Sequence, residues 1–157
     1  MVTQSGKLEL TSPAFSDGGE IPRECGYKNG NKVPPLTVSA IPEGTESVAL
    51  IMDDPDAMEA VGKVWVHWVA WNITPDMLPP INGEIITDLT TIEGMTDFGE
   101  RGYGGPAPPD KRHTYVFKLY ALDTELDLPD KSTKADVEKA MWRHIIEQTQ
   151  LTGTYAP

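Results

Sequence analysis

The sequence predicts a mostly β domain, and three observations carry that reading. Apolar runs rich in β-branched and aromatic residues recur along the chain: "KLEL", "LTVSAI", "SVALIM", "VWVHWVAWNI" and "TYVFKLYALD". Clusters of Gly, Pro, Asn and Asp separate them, as expected of loops and turns. The 14 prolines cannot donate to a β-ladder, so they mark edges and connections rather than strand interiors. With 157 residues, 39% of them hydrophobic, the whole chain, 1–157, is expected to form one domain with a sizeable core.

"SVALIM" runs directly into the acidic "DDPDAM", and the connection "DDPDAMEAVGK" leads to the next strand. If the two runs pair as antiparallel neighbours, Asp53, Asp54 and Asp56 lie where strand and loop meet. In "VWVHWVAW", strict alternation places Trp65, His67 and Val69 on one face and Val66, Trp68 and Ala70 on the other. Both faces are apolar, so His67 is expected to be buried, and a buried imidazole needs a hydrogen-bond partner. A neighbouring aspartate would orient the ring and raise its pKa. Spacing alone leaves this open, because Asp and Pro also make solvated turns, which is the plainer reading.

The stretch from Leu78 to Arg112 has no regular apolar pattern and contains "LPPING", "GERGYGG" and "PAPPDKR". A connection of that length is expected to be functional or disordered, with Phe98 and Tyr103 available to pin it down. It delivers His113 to the start of the next strand, with Tyr115 on the same side two residues on. Those two residues suit the wall of a small polar pocket, although an exposed strand-start histidine is the plainer reading. Near the end, Thr133 and Asp136 form a short-armed capping box, and Val137, Met141, His144, Ile145 and Gln148 then share one helical face. Gly153 is expected to end that segment, leaving Thr154 and Tyr155 for a short strand or docked tail.

The formal net charge of −11 repels polyanions, which argues against nucleic acid and anionic membranes as general partners. Neither a secretory signal nor a membrane-spanning apolar run is evident, so a cytoplasmic location is expected. Cys25 is the only cysteine and excludes an internal disulfide; its surroundings, "RECGY", suit an inert or partly exposed thiol. No P-loop, dinucleotide fingerprint, hydrolase elbow or metal-ligand spacing appears, so neither cofactor nor metal is expected.

Taken in order, "LTSPAFSDGGEIP", "NGNKVPPL", "ALIMDDPDAM", "HWVAWNI", "GYGGPAPP", "HTYVFKLYALD" and "KADVEKAMWRHIIEQTQLTGTY" resemble the phosphatidylethanolamine-binding protein family, in particular its prokaryotic Raf-kinase-inhibitor-like branch. The resemblance covers nearly the whole chain. It implies an antiparallel Greek-key β-sandwich with a few short peripheral helices, and a small pocket at one end. The residues carried over to that pocket are Asp54, Asp56, His67, Pro109, His113 and Tyr115, with backbone from Gly105 to Ala107 as amide donors. Met58 stands where the family has a proline, which puts the pocket rim in question, and Val33 stands where a serine is common.

The resemblance also implies a small anion as ligand, such as phosphate or phosphorylethanolamine, and a regulatory role through protein partners. A protease or kinase inhibitor acting through surface loops is the alternative, and an enzyme using Asp54 and His67 as an acid–base pair is the less favoured one. A homodimer is left open. The chemistry suits an oxyanion if Asp54 holds His67 protonated and donating, or accepts a proton from the ligand's own P–OH or ammonium.

Overall fold

In a computed structural model of the chain, residues 7–74 and 92–157 are described. Among the described residues, eight strands and two helices follow one another: β1 (Glu9–Thr11), β2 (Gly19–Glu20), β3 (Thr37–Ser39), β4 (Ser47–Asp54), α1 (Ala57–Val61), β5 (Trp65–Ile73), β6 (Ile92–Glu93), β7 (His113–Leu122), α2 (Lys134–Met141) and β8 (Ile145–Tyr155). A 3-10 turn, Arg23–Cys25, follows β2. The fold is mostly β, as the apolar pattern predicts. The main sheet has the order β2-β8-β7-β4-β5-β6, and β1 and β3 make a separate two-stranded sheet.

β4 is central because it can be: every one of its eight residues is buried, which requires apolar side chains on both faces. Val48, Leu50 and Met52 face a cluster with Trp68, Phe117 and Leu119, closed over by Leu10 and Val38 of the small sheet. Ala49 and Ile51 face a second cluster with Val69 and Trp71, closed by Val137 and Met141 of α2. Each fully buried Leu, Ile, Val or Phe contributes roughly 1.5–3 kcal/mol. Asp53 sits on the α2 side, and its buried carboxylate is neutralised by Lys118 at 3.0 Å and Lys134 at 2.8 Å.

Two departures from the sequence reading have local causes. The capping box forms as expected, with the Asp136 amide donating to Thr133 and the Thr133 amide donating to Asp136 Oδ2. The helix nevertheless stops at Met141, so His144, Ile145 and Gln148 do not continue its face. Trp142 turns out of the helix and Arg143 takes a left-handed φ of 74°. From Ile145 the chain pairs with the whole length of β7, and this long ladder outweighs a weak helical periodicity. Gly153 lies inside β8, where a Cβ would collide with Ile21 and Phe15.

The second departure is in β5. Met52 pairs with Trp68 but Asp53 pairs with Val66, so His67 is an extra residue in a β-bulge. Alternation therefore breaks: Val66 and Val69 both face the α2 cluster, while His67 joins Trp68 on the opposite side, its ring 5.1 Å from that of Tyr115. Among the described residues no helix is long and apolar enough to cross a membrane.

Candidate functional site

The bulge, the end of β4 and the start of β7 meet at one end of the sheet and enclose a cavity of about 130 Å³. Its polar wall is Asp54, His67 and His113. Its apolar wall comes from Ala57, Ala60 and Val61 of α1, and from Trp65, Phe98, Ala107 and Pro109. The connection expected to be an acidic loop thus contains α1, which is too short for periodicity to reveal.

Asp54 Oδ2 lies 2.6 Å from His113 Nδ1, not beside His67. The other ring nitrogen of His113, Nε2, is 2.7 Å from Asp110 Oδ1. With both carboxylates ionised each can only accept, and His113 then donates from both nitrogens as an imidazolium. Burial pulls its pKa down, but the hydrogen bonds and charges of Asp54 and Asp110 outweigh this and hold it above the ordinary histidine value. Burial pushes the Asp54 carboxyl up in turn, with His113 opposing. Asp110, Asp54 and His113 together carry one net negative charge when both carboxylates are ionised.

His67 has a different environment. Its Nδ1 is 2.7 Å from the Gly104 carbonyl, and a carbonyl only accepts, so Nδ1 carries the proton. Burial pushes the ring pKa down to about 4, so His67 is neutral near pH 7 and its Nε2 presents a lone pair. Among the described residues Nε2 has no hydrogen-bond partner. The expectation that Asp54 orients His67 and holds it protonated is corrected here: the bulge aims His67 at the Gly104 carbonyl, and Asp54 finds its partner on the neighbouring strand β7.

Of the residues expected at the site, Asp54, His67, Ala107, Pro109 and His113 line the cavity. Asp56 does not; its Oδ2 accepts from the Thr114 amide and ties the start of α1 to β7, while its own amide donates to Asp54 Oδ1. Gly105 is not a ligand donor either, because its amide donates to Asn31 at 2.7 Å. Tyr115 is fully buried beside His67, and among the described residues its hydroxyl makes no hydrogen bond of good geometry, although Asp54 lies close enough to act on it. Met58 is 53% exposed and outside the cavity wall.

Sequence reasoning missed Asp110 and Phe98 as site residues. Asp110 stands three residues before His113 in "PPDKRH", a readable spacing. Phe98 was expected only as an anchor; it stacks on Tyr27 at 4.0 Å and presents an edge to both Trp65 and His67. Tyr103 does act as an anchor, donating to the Cys25 carbonyl at 2.8 Å. Cys25 is buried, and burial, then Glu24, pushes its thiol up to about 11, which keeps it protonated. The earlier part of the long connection, including "LPPING", lies outside the described residues.

Comparison with known proteins places this arrangement among relatives. The family described as phosphatidylethanolamine-binding protein matches residues 11–156. A "UPF0098 protein" of Methanothermobacter thermautotrophicus is 41% identical over 153 residues, covering 94% of this chain and 98% of its own length. Among solved structures, the phosphatidylethanolamine-binding protein homolog CT736 from Chlamydia trachomatis superposes with a TM-score of 0.86 at 36% identity, covering 96% of this chain and 98% of that one. E. coli YBCL, described as a new member of the mammalian PEBP family, gives 0.83 at 31% identity, covering 95% and 98%.

Proposed function

The chain belongs to the phosphatidylethanolamine-binding protein family, and from that premise we propose that its cavity holds the polar head of a small phosphorylated ligand, phosphate or phosphorylethanolamine, without transforming it. The observation that carries this reading is the unlike pair of histidines: His113 is clamped between two carboxylates, and His67 is a neutral ring held by a backbone carbonyl with its Nε2 lone pair free. Asp54 and His67 Nε2 accept from an ammonium or a P–OH. A fully ionised oxyanion finds no surplus positive charge there, because Asp54 and Asp110 more than balance His113. It binds only by making His67 take up a proton and turn from acceptor into donor.

Phosphate binding is therefore expected to consume a proton and to weaken as pH rises from 5 to 8. Calorimetry in two buffers of different ionisation enthalpy reads both quantities. His67→Gln abolishes the proton uptake, and Asp54→Asn weakens phosphorylethanolamine by about tenfold, the equivalent of one charge-assisted contact. A flat pH profile with no proton exchange, or unchanged affinity in both variants, overturns the reading.

A further inference from the structure

The segment 106–109 that walls the cavity has a second cleft on it, of about 310 Å³, which shares Ala107 and Pro109 with the first. Its charged side chains are both basic, Arg23 and Lys28, with Asn29 and the last residue, Pro157, beside them and no Asp or Glu side chain in the wall. This is unusual in a chain with 24 acidic and 13 basic residues. Six of the other cations pair with carboxylates: Lys63 with Asp97, Arg101 with Asp130, Lys111 with Glu59, Arg112 with Glu20, and Lys118 and Lys134 with Asp53. Among the described residues neither Arg23 nor Lys28 has a carboxylate partner.

The cleft is also built. Tyr155, 2% exposed, forms its floor, donating to the Arg23 carbonyl at 2.7 Å and accepting from Asn29 Nδ2 at 2.6 Å. Gly26 leaves the room that the Tyr155 hydroxyl occupies, since a Cβ there would collide with it. The Arg23 guanidinium lies 4.2 Å from the Tyr155 ring centroid and gives one N–H to the Ala156 carbonyl. That fixes the plane of the guanidinium and leaves its other N–H groups to donate. Prolines and Tyr155 supply an apolar wall, and Lys28 a second, uncommitted charge.

We propose that this cleft is a second anion site, separate from the Asp54–His67–His113 cavity, for a phosphate or carboxylate group carried on a flat apolar body. Arg23 positions the anion with fixed donors, Lys28 adds charge, and the proline and tyrosine wall covers the apolar part.

Titration of phenyl phosphate into 15N-labelled protein, followed by amide shifts, tests this. The expected result is saturable shifts at Lys28, Asn29 and Tyr155 that persist in Asp54→Asn. Lys28→Glu, at an exposed side chain without partners, leaves the fold intact and weakens those shifts at least about fivefold through charge reversal. Arg23→Lys keeps the charge, loses the fork and weakens binding as well. Shifts confined to the neighbours of His67 and His113, loss of the Lys28 and Asn29 shifts in Asp54→Asn, or an unchanged affinity in Lys28→Glu each overturn the proposal. Failure of the first cavity to bind phosphate leaves it untouched, because the two sites are read at different amides.

Discussion

Asp54 and His113 stand 59 residues apart in the chain and meet at 2.6 Å, both buried, while His67, thirteen residues from Asp54, takes a backbone carbonyl instead. The two histidines of one pocket thus titrate in opposite directions, His113 upward and His67 downward.

The His67 shift contributes to the acid limb of stability. Its folded pKa of about 4 lies below the ordinary 6.5, so between those values the unfolded chain binds more protons. The contribution is fully present above 6.5 and is lost as pH falls toward 4, up to roughly 3 kcal/mol. Urea unfolding of the wild type and of His67→Gln at pH 7 and pH 4.5 checks this. The variant is expected to lose the difference between the two pH values that His67 causes.

His113 acts with the opposite sign. Its folded pKa lies above 6.5, so its contribution is present below that value and declines as pH rises through the folded pKa. His113→Ala leaves Asp54 buried without its cation and is expected to cost about 3 kcal/mol. Asp110→Asn, at a side chain 39% exposed, is expected to cost much less and to lower the His113 pKa, which an NMR titration of the ring reads directly.

Gly105 is packed, not exposed to ligand. A Cβ on it would meet the Cys25 carbonyl and sit 2.9 Å from the Tyr27 amide. Gly105→Ala is expected to lower stability by about 1–3 kcal/mol, measured by chemical unfolding, because backbone rather than a flexible side chain must move.

Met58 answers the question raised by its replacement of the family proline. It lies in the first turn of α1, exposed, and its amide makes only a long 3.3 Å bond to the Pro55 carbonyl. Proline is tolerated in a first helical turn. Met58→Pro is therefore expected to leave phosphate affinity within about twofold and the melting temperature nearly unchanged; calorimetry and a thermal melt test the two parts.

The strands were legible where a local pattern coincides with a global need. "SVALIM" and "TYVFKLYAL" are apolar enough to be interior and β-branched enough to be extended, and they became β4 and β7. β8 was hidden because Ile145–Gln150 carries an ambiguous period and its conformation is decided by β7, a partner distant in sequence. In the site, the histidines and Asp54 were readable as residues able to do polar chemistry. Their pairing was not, because the one-residue bulge at His67 leaves no mark on composition and reassigns which ring meets which acceptor.

That bulge makes the pocket depend on how many residues β5 contains as well as on which ones. Removing Val66 would retain every polar side chain of the cavity and restore regular alternation, yet it would put His67 out of step with Trp68 and turn it toward α2. Two relatives with identical site residues but different strand lengths here would thus possess different pockets, and the length of the segment from Trp65 to Trp68 is the trait by which to tell them apart.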